Sequence, residues 1–296
     1  MRVAVLAGFK DGAIDQVMRP LVAFAKAKGV DVDLIGTYDI TDLDATAEQI
    51  NNTYDLLHYG FFMYHKGLGP RIFIPQTANL WHIGVENIER YQQLILNADF
   101  KRIVVDDGDH MTIQQLGQMG FTKVTPIPIM FDYGRFHHLP IPKGPFTVGI
   151  FCNDYNFKRF DIIIKAAERA EVECHAMIMP EGRHTYALDP IRDVYSHIHA
   201  LAHATFVDTN SLPAREALLC GRPILATRNG GLDRVLKDGV NALWHDGSIA
   251  DLAAKMKQMR DDYDNLAAGA RATILPDLST SADQYIKVWE NVIAAN

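Results

Sequence analysis

Three cysteines in 296 residues, Cys152, Cys174 and Cys220, are too few and too irregularly spaced for a disulfide framework or a zinc site. Such sparse use is expected of a reducing cytoplasm, where we place the chain. Long apolar runs are missing too. None approaches the roughly 20 residues that a membrane-spanning helix needs. The opening Met1-Arg-Val-Ala-Val-Leu-Ala7 is too short for a leader and reads as a first strand. Positive charge is in deficit. The net charge of −7 argues against non-specific binding to a polyanion, and no basic amphipathic segment marks a membrane surface. The full G-x-G-x-x-G spacing is absent, which counts against a dinucleotide-dependent oxidoreductase, and so is the H-E-x-x-H pattern of metallohydrolases.

What remains is an ordinary globular composition, 48% hydrophobic and 22% charged, with length enough for two domains. Strand-like apolar runs alternate with helical patterns almost throughout, the signature of parallel sheets with crossover helices. Strands are expected near 2–7, 30–36, 54–59, 71–75, 101–105 and 123–128, then 146–151, 172–178, 204–207, 223–227 and 241–244. Helices are expected near 13–28, 42–52, 84–98 and 109–119, then 157–170, 190–202, 212–221, 231–237, 248–268 and 279–294. Proline clusters in one stretch without periodicity, His137-His-Leu-Pro-Ile-Pro-Lys-Gly-Pro145, which reads as a linker. The expected division is therefore 1–136, a linker at 137–145, a second domain at 146–278 and a terminal helix at 279–296 that could return to the first domain.

The most informative segment starts at Asp208 and runs to Gly231. Its first acid, Asp208, stands at the end of an apolar run. Its second, Glu216, follows a capping serine, Ser211, and a first-turn proline, Pro213. A buried strand, 223–227, and a Gly-Gly turn at Gly230 come next. A helix that starts beside a strand end binds anions, because its free N–H groups and its dipole point at the ligand. Here those groups are the N–H of Ser211 and of Leu212. A carboxylate just inside that helix is suited to accept hydrogen bonds from sugar hydroxyls. Diphosphate plus ribose is what such a site would hold.

The segment D-T-N-S-L-P-A-R-E-A-L-L-C-G-R-P-I-L-A, followed by G-G-L-D-R, resembles the donor-binding core of retaining GT-B glycosyltransferases of the family 4 type, E-G-F-G-L-P-x-L-E-A-M-A-C-G-x-P-V-V-A and then G-G-x-x-E. Glu216 falls on the family's second acid and Asp208 on its first, one methylene shorter. Asp208 directly follows Thr-Phe-Val, which gives a shorter strand-to-acid loop than the Pro-Ser-x-x of the family. Arg2-Val-Ala-Val-Leu-Ala-Gly8 with Gly12 is similar to the first strand and glycine loop, Tyr54-Asp-Leu-Leu-His58 to the D-x-x-H strand, and Ile127-Pro-Ile-Met-Phe-Asp132 with Phe136 to I-P-N-G-V-D-x-x-x-F. In the family's G-R-x-x-x-x-K-G, Lys158 takes the lysine position, Ile150 the arginine position and Arg159 that of the second glycine.

The resemblance implies two Rossmann-like α/β domains with parallel sheets facing across a cleft. It implies a nucleotide-diphospho-sugar donor, UDP- or GDP-linked, with no cofactor and no metal. Glu216 would hold the ribose. Lys158 would hold the diphosphate, with Arg159 standing in for the arginine missing at Ile150. Asp208 would face a donor-sugar hydroxyl, and Gly8, Gly12 and Gly230 would let backbone approach the donor. His58 and His82, in the first half near strand ends, are the histidines nominated for a catalytic part.

Other signals have plainer readings. Asp106-Asp107-Gly-Asp109-His110 contains D-x-D, which could hold a divalent ion. The competing reading, with Asp109 as the N-cap of a following helix, is preferred. His197, His199 and His203 lie on or just beyond an expected helix without sharing a face, and read as packed or surface imidazoles. The expected activity is transfer of a sugar to an acceptor hydroxyl with retention of configuration. The alternatives are a noncatalytic nucleotide-sugar binder or partner protein, and a nucleotide-sugar epimerase. The acceptor is a soluble small molecule, a protein or a modified nucleic-acid base.

Overall fold

The computed structural model describes residues 1–8, 13–61, 64–80, 92–129, 136–153, 158–179, 193–205, 211–228, 231–276 and 278–296. The chain divides into two compact units, 1–132 with 276–296, and 133–275. The proline-rich stretch is therefore part of the second unit, and the C-terminal helix is part of the first.

The first unit is built on a six-stranded parallel sheet, with β1 (Arg2–Ala7), β2 (Asp31–Gly36), β3 (Leu56–Tyr59), β4 (Gln76–Asn79), β5 (Phe100–Val105) and β6 (Val124–Pro126) in the order β2-β1-β3-β4-β5-β6. Among the described residues its helices are α1 (Ala13–Ala27), α2 (Leu43–Thr53), the short α3 (His65–Leu68), a helical stretch at 92–97, α4 (His110–Gln118) and the terminal helix Leu278–Ala294. The strand Val3-Ala-Val-Leu-Ala7 is wholly buried, as a central parallel strand covered on both faces must be.

The second unit carries β7 (Thr147–Asn153), β8 (Glu173–Met179), β9 (Ala200–His203), β10 (Ile224–Ala226) and β11 (Ala242–Trp244), all parallel, in the order β11-β10-β9-β7-β8. Its helices, among the described residues, are α5 (Phe160–Ala170), a helical stretch at 193–196, α6 (Leu212–Leu219), α7 (Ile249–Asp261) and α8 (Tyr263–Arg271), which makes the terminal helix α9. Renumbered from its own first strand, the second sheet has the order 2-1-3-4-5 reversed, the same as the first five strands of the first sheet. In this doubly wound order the chain leaves β1 or β7 on one side and returns on the other. A crevice opens there at the carboxyl ends of the strands, between β1 and β3 and between β7 and β9.

Several elements differ from expectation. The strand expected at 71–75 is β4 at Gln76–Asn79. Pro75 cannot donate to a ladder, whereas polar Gln76, Thr77 and Asn79 are buried because each finds an internal partner. The helix expected at 190–202 stops by Ser196, and Ala200–His203 is strand β9. Alanine and leucine favour helix locally, but pairing with β7 and β10 on either side decides the conformation. The run 231–235 is turn, too short to nucleate the expected helix. The expected helix 248–268 is two, α7 and α8, meeting at Asp262.

Candidate functional site

The site is built where β7 and β9 part. Helix α6 begins at Ser211, whose extended backbone (φ −61°, ψ 102°) and side-chain oxygen cap it by accepting from the Ala214 N–H at 3.3 Å. Pro213 has no N–H to satisfy and Ala214 is taken by the cap. The first turn therefore leaves the N–H groups of Ser211 and Leu212 outside the helix's own bonding. Ser211 is 1% exposed and Leu212 is buried, so this is a walled helix end rather than a frayed one.

Glu216 lies one turn in and is only 3% exposed. Its Oε2 accepts a hydrogen bond from the Tyr195 hydroxyl at 2.7 Å. The same hydroxyl lies 3.2 Å from the Pro213 carbonyl, but one phenolic proton goes mainly to the shorter, charge-assisted contact. Tyr195 is fully buried, with its ring edge-on to Phe136 and Phe151. Sequence reasoning missed it. A buried tyrosine needs a partner for its hydroxyl, but nothing in Val-Tyr-Ser says that the partner is Glu216, on another helix.

Lys158 is half-buried and stands just after β7, at the approach to α5. Arg159 follows as the N-cap of α5 with φ 53° and ψ 37°, a left-handed conformation that favours glycine. The resemblance puts glycine at this position, and the backbone here keeps the shape that glycine would supply. The Arg159 guanidinium donates from Nη2 to the Gly247 carbonyl at 2.7 Å, tying α5 to the turn after β11. Ile150 lies inside β7 and is 1% exposed, so the missing arginine is replaced by core.

A polar layer that the sequence did not announce runs along the carboxyl ends of β9, β10 and β11. The Thr227 hydroxyl donates to the Thr205 carbonyl at 2.5 Å, and His245 accepts from the Gly247 N–H through Nδ1 at 3.1 Å. Burial pushes His245 down to about 4, so it is neutral at pH 7.

Asp208, His82, Gly12 and Gly230 lie outside the described residues. Strand β9 ends at His203, before the expected strand 204–207, of which only Ala204 and Thr205 lie within the described residues.

In the first unit, Gly8 and Gly60 stand by the β1/β3 crevice. A Cβ on Gly60 would come 2.5 Å from the Leu6 carbonyl oxygen, and one on Gly8 would press on the Tyr64 hydroxyl, so both keep chains close together. His58 is fully buried in β3. Its Nδ1 bonds the Thr77 hydroxyl at 2.7 Å, and its Nε2 accepts from the Asn79 amide at 3.1 Å. Tyr285 of α9 donates to the Asn79 Oδ1 at 2.9 Å, and Trp289 sets its edge on the His58 ring. With both nitrogens engaged and burial holding it at about 3, His58 is a neutral packing residue in this network, not the catalytic histidine nominated from sequence. Asp109 caps α4 by accepting from the Thr112 N–H at 3.0 Å, and Asp106 accepts from the Ile129 N–H. His197 and His199 fall after the helix that ends near Ser196, and His203 closes β9. No cluster of metal-ligating side chains occurs among the described residues, and none of their helices is long and apolar enough to cross a membrane.

Two parallel-sheet α/β domains of this kind make the GT-B fold, and solved structures of that class superpose along the whole chain. HepE of Anabaena in complex with UDP-glucose has a TM-score of 0.71 at 16% identity, covering 100% of this chain and 99% of its own. Sucrose-phosphate synthase of Thermosynechococcus elongatus has 0.77 at 14% identity, with full coverage of both chains. A glycosyltransferase of Rickettsia africae has 0.70 at 10% identity, covering 100% and 99%. Within the chain, residues 146–262 match the family model for glycosyl transferases group 1, a span that holds Lys158, Tyr195 and Glu216. No curated protein matches the sequence.

Proposed function

We propose that this protein is a glycosyltransferase that moves a sugar from a nucleotide-diphospho-sugar, UDP-linked in the first instance, to an acceptor hydroxyl with retention of configuration. The observation that carries the reading is Glu216, a buried carboxylate one turn inside a capped helix at the β7/β9 crevice and already oriented by Tyr195. An ionised carboxylate so placed accepts from ribose hydroxyls, while the N–H groups of Ser211 and Leu212 and the ammonium of Lys158 meet the diphosphate. Charge develops on the diphosphate as the anomeric C–O bond breaks, so donors fixed there favour the transition state. The leaving phosphate can take the acceptor's proton, which leaves no need for a dedicated base. Asp208 meets the donor sugar. That HepE is known with UDP and UDP-glucose supports UDP as the nucleotide to try first.

Thermal shift against UDP, GDP, ADP and CDP tests the nucleotide, since a ligand stabilises by mass action. The anomeric proton of the product, read by NMR, tests retention. A shift with UDP or GDP is expected, and the absence of any shift across the panel overturns the reading.

Ile150 favours a second reading. A buried isoleucine where the resemblance calls for a diphosphate-gripping arginine suits a protein that binds a nucleotide sugar without turning it over. Donor hydrolysis by the purified chain, measured as free nucleoside diphosphate, separates the two.

A further inference from the structure

Arg222 is fully buried, and no carboxylate pairs with it among the described residues. Its guanidinium instead holds two main-chain carbonyls. Nε donates to the carbonyl of Tyr195 at 2.9 Å and Nη2 to that of Pro140 at 2.7 Å. Burial lowers its affinity for its proton, and the neighbouring Arg271 acts the same way. A buried cation is costly without a counter-charge, so its value lies in what it fixes. One carbonyl belongs to the residue whose hydroxyl holds Glu216. The other belongs to the proline-rich stretch, which is bound a second time where the Leu139 N–H donates to Cys220, the C-cap of the helix that carries Glu216. A continuous set of bonds thus runs from Pro140 through Arg222 and Tyr195 to the Glu216 carboxylate, with Phe136 and Phe151 packed on the Tyr195 ring.

We infer that Tyr195 is the positioning residue of the nucleotide site, anchored by Arg222, and that it sets the Glu216 carboxylate to select ribose over 2′-deoxyribose. This rests on the ribose-binding reading of Glu216. A glutamate on a helix has several side-chain rotamers, and a hydroxyl fixed at one oxygen leaves the carboxylate with one plane. Pre-organisation of this kind acts on the interaction with the ligand hydroxyl, not on the whole nucleotide. Tyr195 itself need not touch the ligand.

The test is calorimetric binding of UDP and 2′-deoxy-UDP, with GDP and 2′-deoxy-GDP in parallel, to the full chain and to Tyr195→Phe and Glu216→Ala. The wild type should prefer the ribonucleotide by about tenfold or more, the scale of one hydrogen bond to a charged group. Glu216→Ala should bring that ratio near one. Tyr195→Phe should bring it most of the way there, with little change in affinity for the deoxynucleotide. A merely structural tyrosine would weaken both nucleotides alike and leave their ratio unchanged. A ratio kept by Tyr195→Phe but lost in Glu216→Ala overturns the positioning role and leaves the ribose reading intact. A ratio kept by Glu216→Ala, or no binding of any probe by the wild type, overturns the ribose reading and this inference with it. If Tyr195→Phe does not fold, Arg222→Lys takes its place. It keeps the charge but loses the planar fork that spans both carbonyls. A reduced ratio supports the anchor and an unchanged one overturns it.

Discussion

The two units share a strand order and bury different polar groups near the switch point it creates. In the first, the buried polar groups of β3 and β4 close on one another. His58 bonds Thr77 and Asn79, and α9 seals the set with Tyr285 and Trp289. The bonds that His58, Thr77, Asn79 and Tyr285 make among themselves specify this core. In the second, the buried Glu216 carboxylate is held by the Tyr195 hydroxyl one turn inside the capped helix α6, and Lys158 stands half-buried after β7. The same topology carries a network centred on a neutral histidine in one case and one centred on a carboxylate in the other.

The largest effect that follows is on the closed network. Trp289→Ala should destabilise the first unit by about 3–5 kcal/mol, since a fully buried indole leaves a cavity in the core. Denaturant unfolding measures the loss. If the second unit holds the nucleotide by itself, binding measured under native conditions should be nearly unchanged.

Glu216→Ala reverses the pattern. Loss of a charge-assisted bond to a ribose hydroxyl should weaken nucleotide binding by about 1.5–3 kcal/mol, read by calorimetry. The melting temperature without ligand should move less than for Trp289→Ala. Equal affinity for every nucleotide would remove Glu216 from the site.

Acid should soften both units. His58 is held at about 3 and His245 at about 4, in each case chiefly by burial, whereas an unfolded histidine titrates near 6.5. A group depressed in this direction contributes stability that is complete above about pH 6.5. That stability declines as pH falls towards 4 and below, because the unfolded chain takes up protons that the fold refuses. The slope is about 1.4 kcal/mol per pH unit for each histidine. Melting temperatures at pH 7 and pH 5 check it, and His58→Gln should flatten the part due to the first unit.

Ser211→Ala should cost about 1 kcal/mol of stability through loss of the cap, with a comparable weakening of diphosphate binding as the helix start frays. The smallest expected effect is that of chelation. If lysine and helix N–H groups meet the diphosphate as proposed, EDTA should leave turnover unchanged. Loss of turnover restored by Mn²⁺ would point back to Asp107 and Asp109, although Asp109 is already committed to the Thr112 N–H.

Much was legible from the sequence because it depends on short-range pattern. The alternation of apolar runs specifies parallel sheets with crossover helices. Ser211 and Pro213 announce the start of α6, and the spacing to Glu216 places that acid one turn in, since capping and helical phase are local properties. Asp109 as a cap could be read for the same reason. The boundary of β9, the position of β4 and the state of His58 could not. Ala200–His203 is helix or strand according to its neighbours in the sheet. Gln76–Asn79 is a strand because its polar side chains have partners up to 206 residues away. A histidine near a strand end looks the same in sequence whether it meets a ligand or an asparagine. The bonds from Arg222 through Tyr195 to Glu216 belong entirely to the tertiary structure. They join residues far apart in the chain, and only close packing decides which hydroxyl a buried carboxylate will accept.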